Sequence, residues 1–292
     1  MSRLFKAFLF KLSKDLTFRI TLIIGGALAL FITLVYLLID ATTAEAAAEY
    51  GGTTIKYFTG PNMLFTSMSP VNNFGLALPI NLITFICLEF TQGTIRNKII
   101  AGHSKIRIYI SLCLSGLVFT FALLLVYMGI LVSLGTIFGG FDLTQEVMTG
   151  LLGYTYVDVT FIMEMVLICI LFYATLVFFT VFFATLFRSI GPCIPVVIVT
   201  LLILYTSGVM ITTLAYIPEV DTEGMIIFTE AINPLYVLTG GYTTITKLTE
   251  GGMDYYAQIE TRTLITTCVS NLVYSGIFFV GGFLIFGKRD VK

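Results

Sequence analysis

Long apolar stretches alternate with shorter polar ones along most of the chain. Six of the apolar stretches can cross a bilayer, because a helix needs about 20 mostly apolar residues to span a hydrocarbon core of roughly 30 Å. They cover residues 20–39, 71–90, 108–138, 159–187, 192–216 and 264–286. None has the period-two alternation of a transmembrane β-barrel. The pattern predicts an all-α integral membrane protein, with six transmembrane helices in a single domain of residues 1–292.

The composition supports a membrane protein. Of the 292 residues, 57% are hydrophobic and 11% are charged, with a mean hydropathy of +0.98, whereas a soluble domain carries about 25% charged residues. The five cysteines lie within or at the edge of apolar stretches and form no CxxC pair. This pattern argues against a disulfide framework or a zinc site.

The basic residues predict the orientation, since Lys and Arg are retained on the cytoplasmic side of a membrane. If the N-terminus lies inside, three basic residues fall outside: Lys56, Lys247 and Arg262. Thirteen fall inside: Arg3, Lys6, Lys11, Lys14, Arg19, Arg96, Lys98, Lys105, Arg107, Arg188, Lys288, Arg289 and Lys292. We therefore expect both termini of this multi-pass chain to be cytoplasmic.

Two segments outside the spans are also apolar on one side. Residues 2–19 place their leucines and phenylalanines on one helical face opposite Lys6 and Lys14, which predicts an amphipathic elbow helix in the membrane interface. A simple basic flank that sets the orientation explains the lysines equally well. Residues 217–262 contain "MIIFTEAINPLYVL", which is too short to span and is interrupted by Asn233-Pro234. This segment predicts short re-entrant helices on the outer side, before the last span.

Few residues suggest chemistry. The chain has one histidine, His103, which cannot form a metallohydrolase motif, and "GFLIFGKR" lacks the Ser or Thr of a phosphate-binding loop. We therefore expect no catalytic site, no metal site and no nucleotide site, so any energy for transport must come from a partner or an ion gradient. Asn81 and Glu164 lie within spans, where polar groups are candidates for a substrate path. Snorkelling to the interface explains Glu164 equally well.

The connection between the second and third spans has the most distinctive sequence, "EFTQGTIRNKIIAGHSKIRIYIS". Gly93 can end one helix and Thr94 can begin another, in which Ile95 and Ile99 form an apolar stripe. This predicts a short helix over residues 93–105 on the membrane surface. An ordinary basic loop and a protein-docking helix are equally consistent with these features. Nucleic acid is excluded as a partner, because aromatic residues are not interleaved with the basic ones.

The same run resembles the cytoplasmic loop of bacterial ABC-2 type permeases, the membrane subunits of ABC exporters with a type V, ABCG-like fold. The resemblance rests on Glu89, on Gly93 to Lys98, on Gly102, and on Ser104-Lys105. It implies a coupling helix that docks into a separate ATPase, with Arg96 and Lys98 facing that partner. The implied coupling residues are Glu89, Gly93, Thr94, Ile95, Arg96, Asn97, Lys98, Gly102, His103, Ser104 and Lys105.

By this resemblance, the chain is the permease subunit of an ATP-driven exporter in a bacterial cell membrane. ATP and Mg²⁺ bind the partner ATPase, and a second permease completes a homodimer or a heterodimer. Similar Gram-positive permeases handle lantibiotics, bacitracin and phenol-soluble modulins, which implies an amphipathic peptide as substrate and a role in export or antimicrobial resistance. A gradient-driven transporter and a membrane enzyme that acts on lipid remain the alternatives.

Overall fold

The computed structural model describes residues 10, 14–50, 56–70, 77–143, 147–148, 154–214, 223–249 and 252–288. This part of the chain is mostly helical. Its α-helices are α1 (Leu16–Tyr50), α2 (Gly60–Met68), α3 (Ala77–Thr91), α4 (Thr94–Ile100), α5 (Lys105–Gly139), α6 (Val159–Phe187), α7 (Ile190–Leu214), α8 (Glu223–Ile232) and α9 (Thr261–Lys288).

Within the described ranges, five helices are long and apolar enough to cross a membrane. They are α1, α5, α6, α7 and α9. The helix α3 has 15 residues and meets this criterion only together with α4, from which it is separated by a bend of 52°. The chain is therefore a helical, multi-pass membrane protein.

The first long helix begins earlier and ends later than the sequence predicts. The carboxylate of Asp15 accepts hydrogen bonds from the amides of Thr17 (2.8 Å) and Phe18 (3.3 Å), so it caps the N-terminus of α1. The last residues of the predicted elbow helix thus belong to α1. Residues 2–9 and 11–13 of that predicted helix lie outside the described part. At its other end α1 continues to Tyr50, beyond the predicted limit at residue 39.

The bundle is organised around α6. In the most apolar 18-residue stretch of α6, 56% of the residues are buried, against 17% in the corresponding stretches of α1 and α7. Helix α6 packs on α3, α5, α7 and α9, and its phenylalanines stack edge-to-face on those of α9, as in the pairs Phe178–Phe279 and Phe179–Phe278. Helix α1 packs on α5 and α3 instead.

A buried segment that the sequence did not predict precedes α3. Helix α2 packs on the C-terminal half of α5, where Gly135 and Gly139 are spaced by four residues. A Cβ at either glycine would overlap the chain at residues 58–59, so only glycine permits this approach. Asp40 of α1 accepts hydrogen bonds from the amides of Tyr57 and Phe58. These contacts hold the start of α2 between α1 and α5.

Two small β-hairpins, which the sequence did not predict, accompany the helices. The described residues include two small antiparallel sheets: β1 (Val147–Met148) with β2 (Tyr154–Thr155), and β3 (Thr243–Thr249) with β4 (Gly252–Gln258). A bridge between Tyr156 and Tyr256 joins the two hairpins. Strand β3 is rich in threonine and isoleucine, residues that favour strands, and it precedes a Gly-Gly pair that favours a turn. Both sheets lie at the end of the bundle away from α4.

Candidate functional site

The bend between α3 and α4 depends on two glycines. Gly93 precedes α4 with φ of +66°, and Gly102 follows it with φ of +85°. Neither would meet a neighbouring atom through an added Cβ, so glycine is required here for its backbone conformation rather than for space. The two residues define where α4 leaves α3 and where the chain turns into α5.

A buried carboxylate ties α4 to α3. Glu89, near the end of α3, is completely buried. Its Oε2 accepts hydrogen bonds from the hydroxyl of Thr94 (2.7 Å) and from the Nζ of Lys98 (2.7 Å). The Thr94 hydroxyl also lies 2.8 Å from the main-chain oxygen of Glu89. A charged pair with little access to water is strong only when its geometry is good, and here both partners come from within ten residues of one another.

The apolar stripe of α4, formed by Ile95 and Ile99, faces inward. Ile95 is completely buried and Ile99 packs partly on the hydrophobic core. The exposed face carries Arg96, Asn97 and Ile100 instead, and Ile100 is 73% exposed. Lys98, predicted to face a partner together with Arg96, has a side chain that is only 21% exposed and reaches back to Glu89.

The remaining predicted residues connect α4 to α5. The amide of His103 donates to the main-chain oxygen of Lys98 (3.1 Å), and Ser104 precedes α5 without a side-chain capping bond. Lys105 donates to the main-chain oxygen of Gly287 near the end of α9 (3.3 Å). Helix α4 is therefore attached to α3 on one side and, through Lys105, to α9 on the other. We refer to Glu89 and residues 93–105 as the α4 site.

An aromatic layer lies beside the α4 site. The ring of Phe90 has the guanidinium of Arg188 on one side (5.8 Å) and the ring of Phe286 on another (6.1 Å). Tyr109 donates its hydroxyl hydrogen to the main-chain oxygen of Phe279 (3.1 Å). These contacts join the ends of α3, α5, α6 and α9 at the same end of the bundle.

The two predicted path residues lie near the opposite end and are not joined to each other. Asn81 is partly exposed in the second turn of α3, and Glu164 is partly exposed in the second turn of α6. Among the described residues, Glu164 makes no hydrogen bond. Their positions leave both the path and the interfacial interpretation of Glu164 open.

The Asn233-Pro234 interruption was predicted from the sequence, but the hydrogen bonds of Asn233 were not. Residues 233–238, which follow α8, are all buried. The Nδ2 of Asn233 donates to the main-chain oxygen of Leu204 on α7 (2.6 Å), and its Oδ1 accepts from the amide of Leu235 (2.9 Å). A Cβ at Gly208 would overlap Thr239. We call residues 233–241 the buried turn.

A second amide, Asn271 of α9, holds the other side of the buried turn. It is completely buried, and its Nδ2 donates to the main-chain oxygens of Pro234 (3.3 Å) and Thr267 (2.9 Å). Its Oδ1 lies 3.1 Å from the hydroxyl of Thr175 on α6, which is also 2.9 Å from that of Ser275. In the sequence, this cluster was indicated only by Asn271, a polar residue inside the last apolar stretch.

Where α8 and α9 approach each other, Glu230 is 3% exposed and accepts a hydrogen bond from the hydroxyl of Thr263 (2.7 Å). Arg262 lies 3.4 Å from its second oxygen. This carboxylate is paired at the surface of the bundle, so it fixes α8 on α9.

No protein-family model, curated protein or solved structure matches the chain. The arrangement of its own residues therefore carries the functional argument.

Proposed function

We propose that this chain is the permease subunit of an ATP-driven exporter, and that α4 is the element that docks on a separate ATPase subunit. The observation that carries the proposal is the construction of the α4 site. A seven-residue helix between two membrane-embedded helices is bonded to α3 through Lys98 and presents a small exposed face, and Lys105, which begins α5 just after it, bonds to α9. The resemblance of residues 89–105 to ABC-2 type permeases supports the same conclusion.

The docking face in this proposal is Arg96, Asn97 and Ile100. Arg96 supplies a guanidinium with several donors for a carboxylate of the partner, and Ile100 supplies an apolar contact. Lys98 contributes indirectly, because its bond to Glu89 fixes the orientation of α4. This assignment retains the predicted site but changes the residues that face the partner.

In the proposed mechanism, ATP binding closes two ATPase subunits and displaces α4 on each permease. A helix attached to its neighbours transmits this displacement as a rigid element, and the bundle changes between inward and outward access. Two permease chains form the complex, both termini are cytoplasmic, and six spans cross a bacterial cell membrane. The buried turn is then a re-entrant element on the outer side.

The substrate class in this proposal is a hydrophobic or amphipathic molecule, with a peptide as the first candidate. It rests on the resemblance and on the apolar, aromatic character of the bundle. ATP and Mg²⁺ belong to the partner subunit, and the permease itself catalyses no reaction.

The test is co-purification with candidate ABC ATPase subunits from the same organism, followed by measurement of ATP hydrolysis. We expect a stable complex in which Arg96→Glu weakens binding by about tenfold, since loss of a charged interfacial bond costs more than 1.4 kcal/mol. Lys14→Glu is the matched control, because it reverses an exposed charge near the start of α1. Transport by the chain alone, without any ATPase, contradicts the proposal and favours a gradient-driven transporter.

A further inference from the structure

A half-enclosed cavity of about 170 Å³ lies between α6, α7, α9 and the buried turn. Its walls include Phe172 and Phe179 of α6, Leu201 of α7, Pro234 of the buried turn and Phe278 of α9. It lies apart from the α4 site, and the contacts that form it do not involve an ATPase partner.

The cavity lies at the middle of the bundle. Its wall residues Thr175, Leu201 and Tyr274 are within two residues of the midpoints of α6, α7 and α9. The bilayer centre is about 15 Å from either polar interface. A lipid headgroup cannot reach this depth, whereas the terminal half of an acyl chain is located there.

The walls offer no available hydrogen-bond donor. Among the described residues that line the cavity, Thr175, Thr200 and Tyr274 carry hydroxyls. Thr200 donates to the main-chain oxygen of Val196 (2.8 Å) and Tyr274 to that of Ile232 (2.9 Å). Thr175 is bonded within its cluster with Asn271. An apolar space without free polar groups does not retain water.

Exposed apolar residues adjoin the wall residues in the sequence of α7 and α9. Ile203 of α7 and Ile277 of α9 are 60% and 56% exposed, and Ile232 of the wall is 43% exposed. Wall atoms that face an empty space lose their dispersion contacts. A hydrocarbon chain entering sideways from the bilayer restores those contacts, and it is the component present at this depth.

We propose that this cavity binds the terminal part of one phospholipid acyl chain, which braces the buried turn against α7. Two probes test the depth: phosphatidylglycerol with a photoreactive diazirine at the end of an acyl chain, and the same lipid with the diazirine next to the ester. The full-length chain is reconstituted in phosphatidylglycerol vesicles with either probe, irradiated, and mapped by peptide mass spectrometry. We expect the terminal probe to label the cavity walls of α6 and α9 about tenfold more than the ester-proximal probe.

Leu201→Trp fills the cavity and should reduce terminal-probe labelling of Phe172 and Phe278 by about tenfold. Leu202→Trp is the matched control, because Leu202 is its neighbour on α7 and is 43% exposed, and it should leave labelling unchanged. Equal labelling in both variants overturns the proposal. If Leu201→Trp does not fold, the unmodified chain decides, since equal labelling by the two probes also overturns it. So does native mass spectrometry that finds a bound peptide and no phospholipid.

Discussion

The α4 site and the buried turn are both short segments held between long helices, but different bonds hold them. The α4 site depends on a charged pair, Glu89 with Lys98, and keeps one face exposed. The buried turn depends on the neutral amides of Asn233 and Asn271, and residues 233–238 are completely enclosed. The α4 site therefore leaves one face exposed, whereas residues 233–238 of the buried turn are enclosed by helices of the same chain.

Depth explains the difference. A charge near the bilayer centre costs about 2.5 to 3.5 kcal/mol even on insertion scales, so a segment reaching the middle of α7 and α9 is held by amides. The α4 site lies at the end of the bundle, where Lys98 retains 21% exposure. There an ion pair can form with less loss of hydration.

The largest effect expected is from removing the cation of the α4 site. Lys98→Met leaves the Glu89 carboxylate buried without its cation, and we expect a loss of about 3 kcal/mol in stability. The chain has no tryptophan, but four of its five cysteines, all within the described residues, are buried. Thermal unfolding is therefore followed with a maleimide dye that fluoresces on reaction with newly exposed thiols. Arg96→Met, which removes an exposed charge from the same helix, should unfold like the original chain. An equal shift of the unfolding temperature in both variants contradicts a stabilising role of the buried pair.

A smaller effect is expected at the buried turn. Asn271→Leu and Thr175→Val each remove hydrogen bonds inside the bundle, and we expect each to cost about 1 to 2 kcal/mol. Because the two side chains are bonded to each other, the double variant should cost less than the sum, by about 1 kcal/mol. The same dye assay measures all three. As a control, Thr206→Val removes an exposed hydroxyl that is bonded only within α7 and should have little effect. If the costs of Asn271→Leu and Thr175→Val simply add in the double variant, the two side chains do not act as a cluster.

The glycine before α4 tests the bend. Gly93→Ala places a Cβ at φ of +66°, and we expect it to cost about 1 kcal/mol. Gly129→Ala in α5 is the control: its Cβ also meets open space, but within a regular helix, where alanine is neutral or stabilising. If Gly93→Ala lowers the stability and Gly129→Ala does not, the left-handed conformation at Gly93 is required. Stability changes of the same sign in both variants contradict this.

The smallest effect on the chain itself is expected on the exposed face. Ile100→Asp should change stability by no more than about 0.5 kcal/mol, since the side chain is 73% exposed. The same change should reduce capture of the proposed ATPase in a pull-down. Ile95→Asp, on the completely buried face of α4, is the comparison: it should destabilise the chain as well. A pull-down that is insensitive to Ile100→Asp removes this residue from the docking face.

The long helices were the most predictable part of the fold. Helix α6 has the same bounds as the predicted segment 159–187, because Asp158 and Arg188 border a long run in which Glu164 is the only charged residue. Of the second predicted segment, 71–90, the structure describes residues 77–90, which lie in α3. Hydropathy did not predict the buried helix α2, because its nine residues are too few to span and its burial depends on the glycines of α5.

The candidate site was predictable as a segment but not as a set of contacts. Gly93 and Gly102 indicated a bounded helix at α4. The hydrophobic pattern could not indicate which face of α4 points outward, because that face is set by the pair between Glu89 on α3 and Lys98 on α4. The contact between Thr175 and Asn271, which are 96 residues apart, depends on the packing of α6 on α9, and no local pattern reports it.

The position of α6 also determines the order in which the molecule can be completed during synthesis. Its most extensive neighbour is α9, which follows α6 in the chain and leaves the ribosome after it. Until α9 is inserted, Thr175 lacks Asn271 and Ser275, and Phe178 and Phe179 lack their partners on α9. The packing around α6 is therefore completed only when α9 arrives, and a nascent chain that stalls before Thr261 leaves one side of its central helix uncovered.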